Sequence, residues 1–140
     1  MKPENPRHRA REFALQVLFQ REFLSTIQIE KSLDYFKGTF TAYDKEYLYA
    51  RQIIEGVIEH IGEIDNKITS HSQNWRIERM AIVDVIIMRI AIYELFYSPE
   101  ELPPKVVLDE AIEIAKKYST TESSGFINGI LDQVAKKKIS

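Results

Sequence analysis

Apolar residues recur at every third or fourth position along most of the chain, which is the spacing that one face of an α-helix requires. The pattern predicts an all-α fold of about seven helices. The first helix is predicted over residues 7–24, a short second one over 25–37, and a third that starts with Asp44 as its N-cap. Gly62 is expected to break or kink the chain before a fourth helical stretch, which continues towards Trp75.

The second half of the chain contains the most apolar stretch, residues 79–96, with apolar side chains on nearly every side of a helix. A helix of that kind is buried, so we predict it as the central helix. Prolines 99, 103 and 104 mark a loop after it, because proline lacks the amide hydrogen that a helix interior needs. Two more helices follow, the last over residues 121–137. The inward faces predicted for them are Leu108, Ala111, Ile112 and Ala115, and then Ile127, Ile130, Leu131 and Val134.

Two glycines lie inside that last predicted helix. Gly125 and Gly129 are four residues apart and therefore share one face. Glycine inside a helix costs roughly 1 kcal/mol relative to alanine, so its presence there indicates that something approaches closely. A neighbouring helix or a ligand would explain it, and the small size of glycine favours tight helix packing.

Composition limits the class of protein. The chain has 140 residues, the size of one domain, and 44% hydrophobic residues can fill a core. Cysteine is absent, which fits a cytoplasmic protein, and we expect neither a signal peptide nor a membrane span. His8, His60 and His71 show no metal-ligand spacing, and no glycine-rich phosphate loop exists. The sequence therefore predicts a single domain over residues 1–140 that binds rather than catalyses, without metal or cofactor.

Three charged residues interrupt the predicted central helix: Asp84, Arg89 and Glu94. Charges are rarely buried unless they are paired, so Arg89 is expected to form an internal ion pair with Glu94 or with an acid on another helix. For Asp84 the sequence supports two interpretations equally. It forms an internal pair, or it lies on the one exposed strip of the helix and meets a basic partner.

The N-terminus is basic in an otherwise acidic protein. Residues 1–11, the basic head, hold four basic residues and Glu4, a net charge of +3; because the whole chain carries −2, the remainder carries −5. Such asymmetry indicates one anionic partner at one place. The first turns of the first helix are polar on all sides, so the basic head is expected to project.

Phe126 is a candidate platform for an unpaired base, because single-stranded RNA is recognised by stacking and by base-edge hydrogen bonds. Periodicity alone slightly favours a place in the core instead. Lysines at 116–117 and 136–138 could extend a positive surface, although lysines at helix C-termini usually complement the helix dipole.

Four segments stand in a familiar order along the chain. They are Arg7–Phe19 (RHRAREFALQVLF), Met88–Leu95 (MRIAIYEL), Asp109–Tyr118 (DEAIEIAKKY) and Ser124–Asp132 (SGFINGILD). Together they resemble the NusB family of bacterial transcription antitermination factors, and the resemblance extends over about residues 2–135. Each segment alone is a weak signal, whereas four in register are a strong one.

The resemblance implies an all-α fold of two small packed helical bundles and no catalysis. It implies binding of the single-stranded boxA element of nascent RNA, as a heterodimer with NusE, which is also a small-subunit ribosomal protein. The complex would act with RNA polymerase and promote read-through of terminators, notably in ribosomal RNA operons. The exposed part of such a binding face could also form a homodimer when the protein is free.

By position, the resemblance implies two sets of contact residues. The RNA-binding set comprises Lys2, Arg7, His8, Arg9, Arg11, Glu122 and Phe126. The partner-binding set comprises Glu78, Arg79 and Asp84.

The chain departs from the family pattern at three of its positions. His8 stands where arginine is common, so RNA binding should depend on pH near the usual histidine pKa of about 6.5. Val85 replaces a common basic residue, which would make the partner interface more apolar. Gly125 replaces a frequent lysine and removes one possible phosphate contact.

Two other functions stay open on the sequence alone. The chain could be an interaction scaffold without RNA specificity, whose basic head is only a solvated helix start. It could also be an accessory domain of an RNA methyltransferase, which is disfavoured because no cofactor-binding domain follows residue 140.

Overall fold

The computed structural model describes residues 6–23, 31, 44–72 and 76–139. All regular secondary structure in these ranges is helical and no strand occurs there, which confirms the all-α prediction. The predicted helix over residues 25–37, like Lys2 and Trp75, lies outside the described residues, except for Lys31, which is helical. The helices are α1 (Pro6–Phe23), α2 (Asp44–Glu59), α3 (Ile61–Thr69), α4 (Ile82–Phe96), α5 (Pro104–Tyr118) and α6 (Thr121–Ile139), with a 3-10 helix at Ile77–Arg79.

The chain divides into two compact units, Met1–Glu55 and Gly56–Ser140, with the boundary inside α2. In the first unit, α1 buries one face, as its apolar spacing predicts, and so does the part of α2 that belongs to this unit. The buried residues of these two stretches are Ala10, Ala14, Leu15, Val17 and Leu18, and Tyr49, Ala50, Ile53 and Ile54. The prediction of a single domain over residues 1–140 stays a prediction.

The second unit is built around α4, which contacts α3, α5 and α6. Every residue from Asp84 to Leu95 is buried, so α4 is the central helix that its all-round apolar pattern predicts. α5 and α6 also pack against each other. No helix in the described ranges is long and apolar enough to cross a membrane.

The helix boundaries differ from the predicted ones at two places. The chain kinks at His60 (φ −108°, ψ 18°) and not at Gly62, while hydrogen bonds from His60 N to Gly56 O and from Ile64 N to His60 O carry the backbone through the kink. The central helix starts at Ile82 rather than near Arg79, because Met80 and Ala81 are extended. The positions of glycines and the spacing of apolar residues predict neither the kink at His60 nor the start of α4 at Ile82.

The inward face of α5 is rotated from the predicted one. Ala111 and Ala115 are buried as predicted, but Val107 and Ile114 are buried in place of Leu108 and Ile112, which are half-buried. Val107 and Leu108 are adjacent, and Ile112 and Ile114 are separated only by Glu113, so periodicity cannot decide which apolar residue of each pair faces the core. The stripe predicted for α6 is confirmed, since Ile127, Ile130, Leu131 and Val134 are all buried.

The expected close approach at Gly125 and Gly129 is wrong as far as helix packing is concerned. Both glycines are exposed, and no described atom lies within 4 Å of where a Cβ would stand. Tight packing occurs instead at Gly56, which the sequence did not single out. A Cβ there would meet the ring of Tyr93, with Cδ2 at 2.7 Å and Cζ at 2.8 Å.

The ion pair expected for Arg89 is confirmed, and its partner is on another helix. Arg89 on α4 donates from Nε to Asp65 Oδ1 at 2.8 Å and from Nη2 to Asp65 Oδ2 at 2.9 Å. This two-pronged pair satisfies a guanidinium whose side chain is only 9% exposed. It ties α3 to the central helix.

Candidate nucleic-acid interface

The described arginines of the basic head, at positions 7, 9 and 11, contact other side chains of the first unit and do not project as predicted. The guanidinium groups of Arg7 and Arg11 lie over the ring of Tyr49 on α2, at 5.4 and 5.8 Å from its centroid. Arg9 Nη1 lies 3.7 Å from Oε1 of the buried Glu46. An arginine stem can pack along apolar surface while its planar head rests on an aromatic ring, and a charge count along the sequence does not reveal this.

Arg11 departs furthest from the surface position expected of the predicted RNA-binding set. It is 2% exposed, so it belongs to the interior of the first unit and not to its surface. Arg7, His8 and Arg9 are half-buried and keep part of their surface in solvent. The cations that an RNA could reach in this described stretch are therefore fewer than the sequence suggests.

His8 is held by an acid of its own helix. Its Nε2 lies 2.6 Å from Oε1 of Glu12, one turn further along α1. Glu12 and Glu46 thus place two negative charges among the basic side chains. The net positive field of the basic head is weaker than the count of +3 over residues 1–11 implies.

The second unit contains a groove of about 410 Å³ beside the start of α4 and the start of α6. The groove brings together residues that the sequence assigned to two different surfaces: Glu122 and Phe126 from the RNA-binding set, and Arg79 and Asp84 from the partner-binding set. Its lining residues are Arg79, Met80, Ala81, Asp84, Thr120, Glu122, Ser123 and Phe126.

Phe126 forms part of the groove wall. Its side chain is half-buried, whereas the next residue, Ile127, is fully buried. The sequence offered two interpretations of Phe126, a platform for a base and a core residue. Neither is complete, because the side chain is half-buried and still borders an open groove. A half-buried ring is fixed in place and offers its remaining surface to a ligand.

Asp84 does not lie on an exposed strip. It is 4% exposed in the first turn of α4, and its Oδ1 accepts a hydrogen bond of 2.6 Å from Ser119 Oγ. The first turn of a helix favours an anionic side chain, which explains why an acid can stand in so apolar a helix. Glu78 and Arg79, the other two residues predicted to bind a partner, are exposed.

Thr120 fixes the start of α6. Its Oγ1 accepts a hydrogen bond of 3.0 Å from Ser123 N, and its carbonyl accepts one of 3.0 Å from Ser124 N. This N-cap places the exposed Glu122 and the half-buried Phe126 at the groove. Sequence reasoning missed Ser119 and Thr120, although a threonine directly before a predicted helix is an N-cap signal.

The lysines of the last turn of α6 are engaged with the fold. Lys136 Nζ lies 3.2 Å from Asp132 Oδ2, and Lys138 Nζ donates to the carbonyl oxygen of Leu95 at the end of α4. The second contact complements the C-terminus of α4, whereas the sequence expectation concerned the C-terminus of the lysine's own helix. These two lysines add little to a free positive surface.

Comparison with known proteins identifies the family. The model of the NusB family matches residues 8–136. The transcription antitermination protein NusB of Bdellovibrio bacteriovorus is 44% identical over 131 residues, which cover 93% of this chain and 95% of the relative. That of Elusimicrobium minutum is 43% identical over 134 residues, 94% of each chain.

Solved structures agree with this result. T. maritima NusB superposes with a TM-score of 0.84 at 37% identity, over 98% of this chain and 99% of that one. A crystal structure of antitermination factors NusB and NusE in complex with dsRNA has a TM-score of 0.78 at 25% identity, over 94% and 97% of the two chains. The chain belongs to the NusB family of transcription antitermination proteins.

Proposed function

We propose that this protein binds the single-stranded boxA element of nascent RNA together with NusE. The pair would join the antitermination complex of RNA polymerase in the cytoplasm and promote read-through of terminators, notably in ribosomal RNA operons. The structure of NusB and NusE in complex with dsRNA supports NusE and RNA as the partners, although the RNA in that complex is double-stranded. Family membership agrees with a binding protein rather than an enzyme.

One observation carries the choice of single-stranded RNA: the half-buried Phe126 in the wall of an open groove. An aromatic ring recognises a base by stacking, and a base inside a duplex is already stacked on its neighbours. Arg7, His8 and Arg9 of the first unit are the proposed contacts to the RNA backbone, with Lys2 as a further candidate outside the described residues. Phosphate contacts give affinity but no sequence preference, so the groove would supply the preference.

The exposed pair Glu78 and Arg79 is the proposed contact for NusE. The two residues carry opposite charges at neighbouring positions, next to the extended segment that leads into α4. Opposite charges at the rim of an interface fix its register and exclude wrong partners more than they add affinity. Asp84, the third predicted residue of this set, is buried and lies in the groove.

The test titrates boxA RNA and a scrambled RNA of equal composition into the protein, with and without NusE. Tighter binding of boxA RNA, strengthened by NusE, is the expected result. Phe126→Leu keeps an apolar side chain but removes the ring, so it should weaken boxA binding about tenfold, since base stacking contributes about 1–3 kcal/mol. Thermal unfolding of the variant, unchanged within a few degrees, would show that the loss is one of recognition.

The competing function is a scaffold without RNA specificity. The contacts of the basic head with Tyr49, Glu46 and Glu12 favour it, because they give these cations a structural role. Equal affinity for both RNAs in every condition would establish this alternative. Retained boxA binding by Phe126→Leu would show that the groove is not the stacking site.

A further inference from the structure

Glu46 places a buried carboxylate against the basic side chains of α1. It is the third residue of α2, in a first turn where the helix dipole favours an acid, and it is 2% exposed. Its Oε1 lies 3.7 Å from Nη1 of Arg9, and its Oε2 is buried with no hydrogen-bond donor among the described residues. A buried charge acts on its neighbours more strongly than an exposed one, because little water screens it.

The face of α2 that carries Glu46 also meets the other two arginines of α1. Tyr49 follows Glu46 by three residues, so the two side chains lie one turn apart on the same face. The guanidinium groups of Arg7 and Arg11 lie over the ring of Tyr49. An aromatic ring and a carboxylate on one helix face therefore contact all three arginines, and the contact of Arg9 is with a full negative charge.

The contact between Arg9 and Glu46 leaves the guanidinium able to change partner. At 3.7 Å it is longer than a hydrogen bond, so the attraction between the charges does not fix the orientation of the planar group. The Arg9 side chain is 23% exposed, whereas Glu46 is buried. An anion from solution can therefore reach the cation but not the carboxylate.

We propose that Glu46 competes with RNA phosphate for Arg9 and so sets the affinity of the basic head. The proposal rests on the proposed function, because the phosphate belongs to the bound RNA. A phosphate that pairs with Arg9 has to replace the attraction of Glu46, and it also meets the repulsion of the buried carboxylate. Both effects lower the affinity for RNA by the same factor whatever its base sequence, because phosphate contacts carry no sequence information.

The other role that Glu46 could have is to hold Arg9 in the orientation that RNA needs. An acid positions an arginine through short, aligned hydrogen bonds, as Asp65 does for Arg89 at 2.8 and 2.9 Å. The contact between Arg9 and Glu46 is too long for that geometry. The observations therefore favour competition over positioning.

The experiment compares Glu46→Gln with Glu55→Gln in the full chain, with Kd values from fluorescence anisotropy. Both changes remove one negative charge from α2, but Glu55 is exposed, pairs with Arg51 and lies about 14 Å further along the helix. That separation exceeds the Debye length of about 8 Å at physiological salt. Glu46→Gln should raise the affinity for boxA RNA about three- to tenfold, whereas Glu55→Gln should change it less than about twofold.

Two further titrations separate competition for Arg9 from a general change in charge. The affinity of Glu46→Gln for a scrambled RNA of equal composition should rise by the same factor as that for boxA RNA, so the ratio of the two stays that of the wild type. In an Arg9→Ala background, Glu46→Gln should change the affinity less than about twofold, because the competing pair no longer exists.

A measurement on the wild-type chain does not depend on how well a variant folds. The signal of the Glu46 carboxyl carbon, followed by ¹³C NMR, should shift when boxA RNA saturates the protein, because the cation beside it has moved to a phosphate. The corresponding signal of the exposed Glu55 should stay in place.

Three results would overturn the inference. A folded Glu46→Gln binds boxA RNA no more tightly than Glu55→Gln does, or the gain persists in the Arg9→Ala background, or the Glu46 carboxyl signal stays unchanged at saturation. In each case a wild-type preference for boxA RNA over scrambled RNA, strengthened by NusE, would leave the proposed function in place. Absence of that preference in every condition would remove the proposed function as well.

Discussion

At position 56 the absence of a side chain lets α2 pass close to the buried ring of Tyr93. An alanine Cβ would lie 2.7 Å from Cδ2 of that ring, and Tyr93 is 4% exposed, so the ring has little room to move. We expect Gly56→Ala to lower the free energy of unfolding by about 1–3 kcal/mol, the usual cost of overpacking. Urea denaturation measures it.

The matched control for this prediction is Gly129→Ala. Gly129 is exposed inside α6 with open space around the position of a Cβ, so alanine should raise stability by about 0.5–1 kcal/mol through its helix propensity. Equal stability of Gly56→Ala and the wild type would show that the α2 backbone can shift away from Tyr93.

Tyr97 links the kink at His60 to the end of α4. Its hydroxyl donates to Glu63 Oε2 at 2.7 Å, and its ring stacks on His60 with centroids 4.1 Å apart. Burial, together with the hydrogen bond to Glu63, raises the pKa of Tyr97 from its usual 10.0 to about 12. A raised pKa of this acid means that the neutral hydroxyl is the form the folded state favours.

The stabilisation from Tyr97 should therefore be complete below about pH 10 and should disappear as pH rises through about 12. Urea denaturation at intervals between pH 9 and 12 measures the decline in the wild type and in Tyr97→Phe. The variant lacks the titrating hydroxyl, so its stability should decline less steeply over that interval. Identical slopes would show that Tyr97 is as accessible to water in the folded state as in the unfolded one.

For the helices as elements, apolar spacing predicted what depends on burial alone. α4 is apolar on all sides and is the central helix, and the stripe of α6 is buried as predicted. The kink at His60 and the start of α4 at Ile82 depend on how the helices pack, which spacing does not report. The rotation of α5 has the same cause, because two apolar neighbours compete for one place in the core.

Individual residues of the candidate site could be predicted from the sequence, but their meeting in a single groove could not. Phe126 stands out in the sequence as an aromatic at the edge of a stripe, and Asp84 stands out as an acid in an apolar helix. Their meeting in one groove follows from the packing of α4 against α6, which neither segment contains by itself. Ser119, which donates to Asp84, carries no signal in the sequence.

The arginines of α1 should separate into two roles. Arg11 is buried against Tyr49, so Arg11→Ala should lower the free energy of unfolding by about 1–2 kcal/mol through lost packing and cation–π contact. Arg7 is half-buried, so Arg7→Ala should weaken RNA binding with a smaller effect on stability. Denaturation and RNA titration of both variants check this, and a larger RNA-binding loss in a stably folded Arg11→Ala would contradict it.

On the scale of the whole molecule, the charge distribution limits how the protein meets RNA. The net charge is −2, and the positive residues of α1 are partly offset by Glu12 and Glu46. An acidic protein repels polyanions outside its basic patch, which suppresses nonspecific binding. In the proposed function, specific recognition would therefore come from the groove and from the protein partner, whose added surface would raise affinity and specificity together.

The salt dependence of boxA binding tests this distribution. The four basic residues of the basic head would give a slope of log affinity against log salt of about −3, at about 0.7 per phosphate contact with a single strand. Because Arg11 is buried, we expect three contacts, from Lys2, Arg7 and Arg9, and a slope of about −2 for the protein without NusE. Arg9→Ala should then reduce the slope by about 0.7, whereas Lys136→Ala, at an exposed lysine paired with Asp132, should leave it unchanged. A slope steeper than about −4 would mean that RNA engages cations well beyond the basic head, with the lysines at the end of α6 as the first to examine.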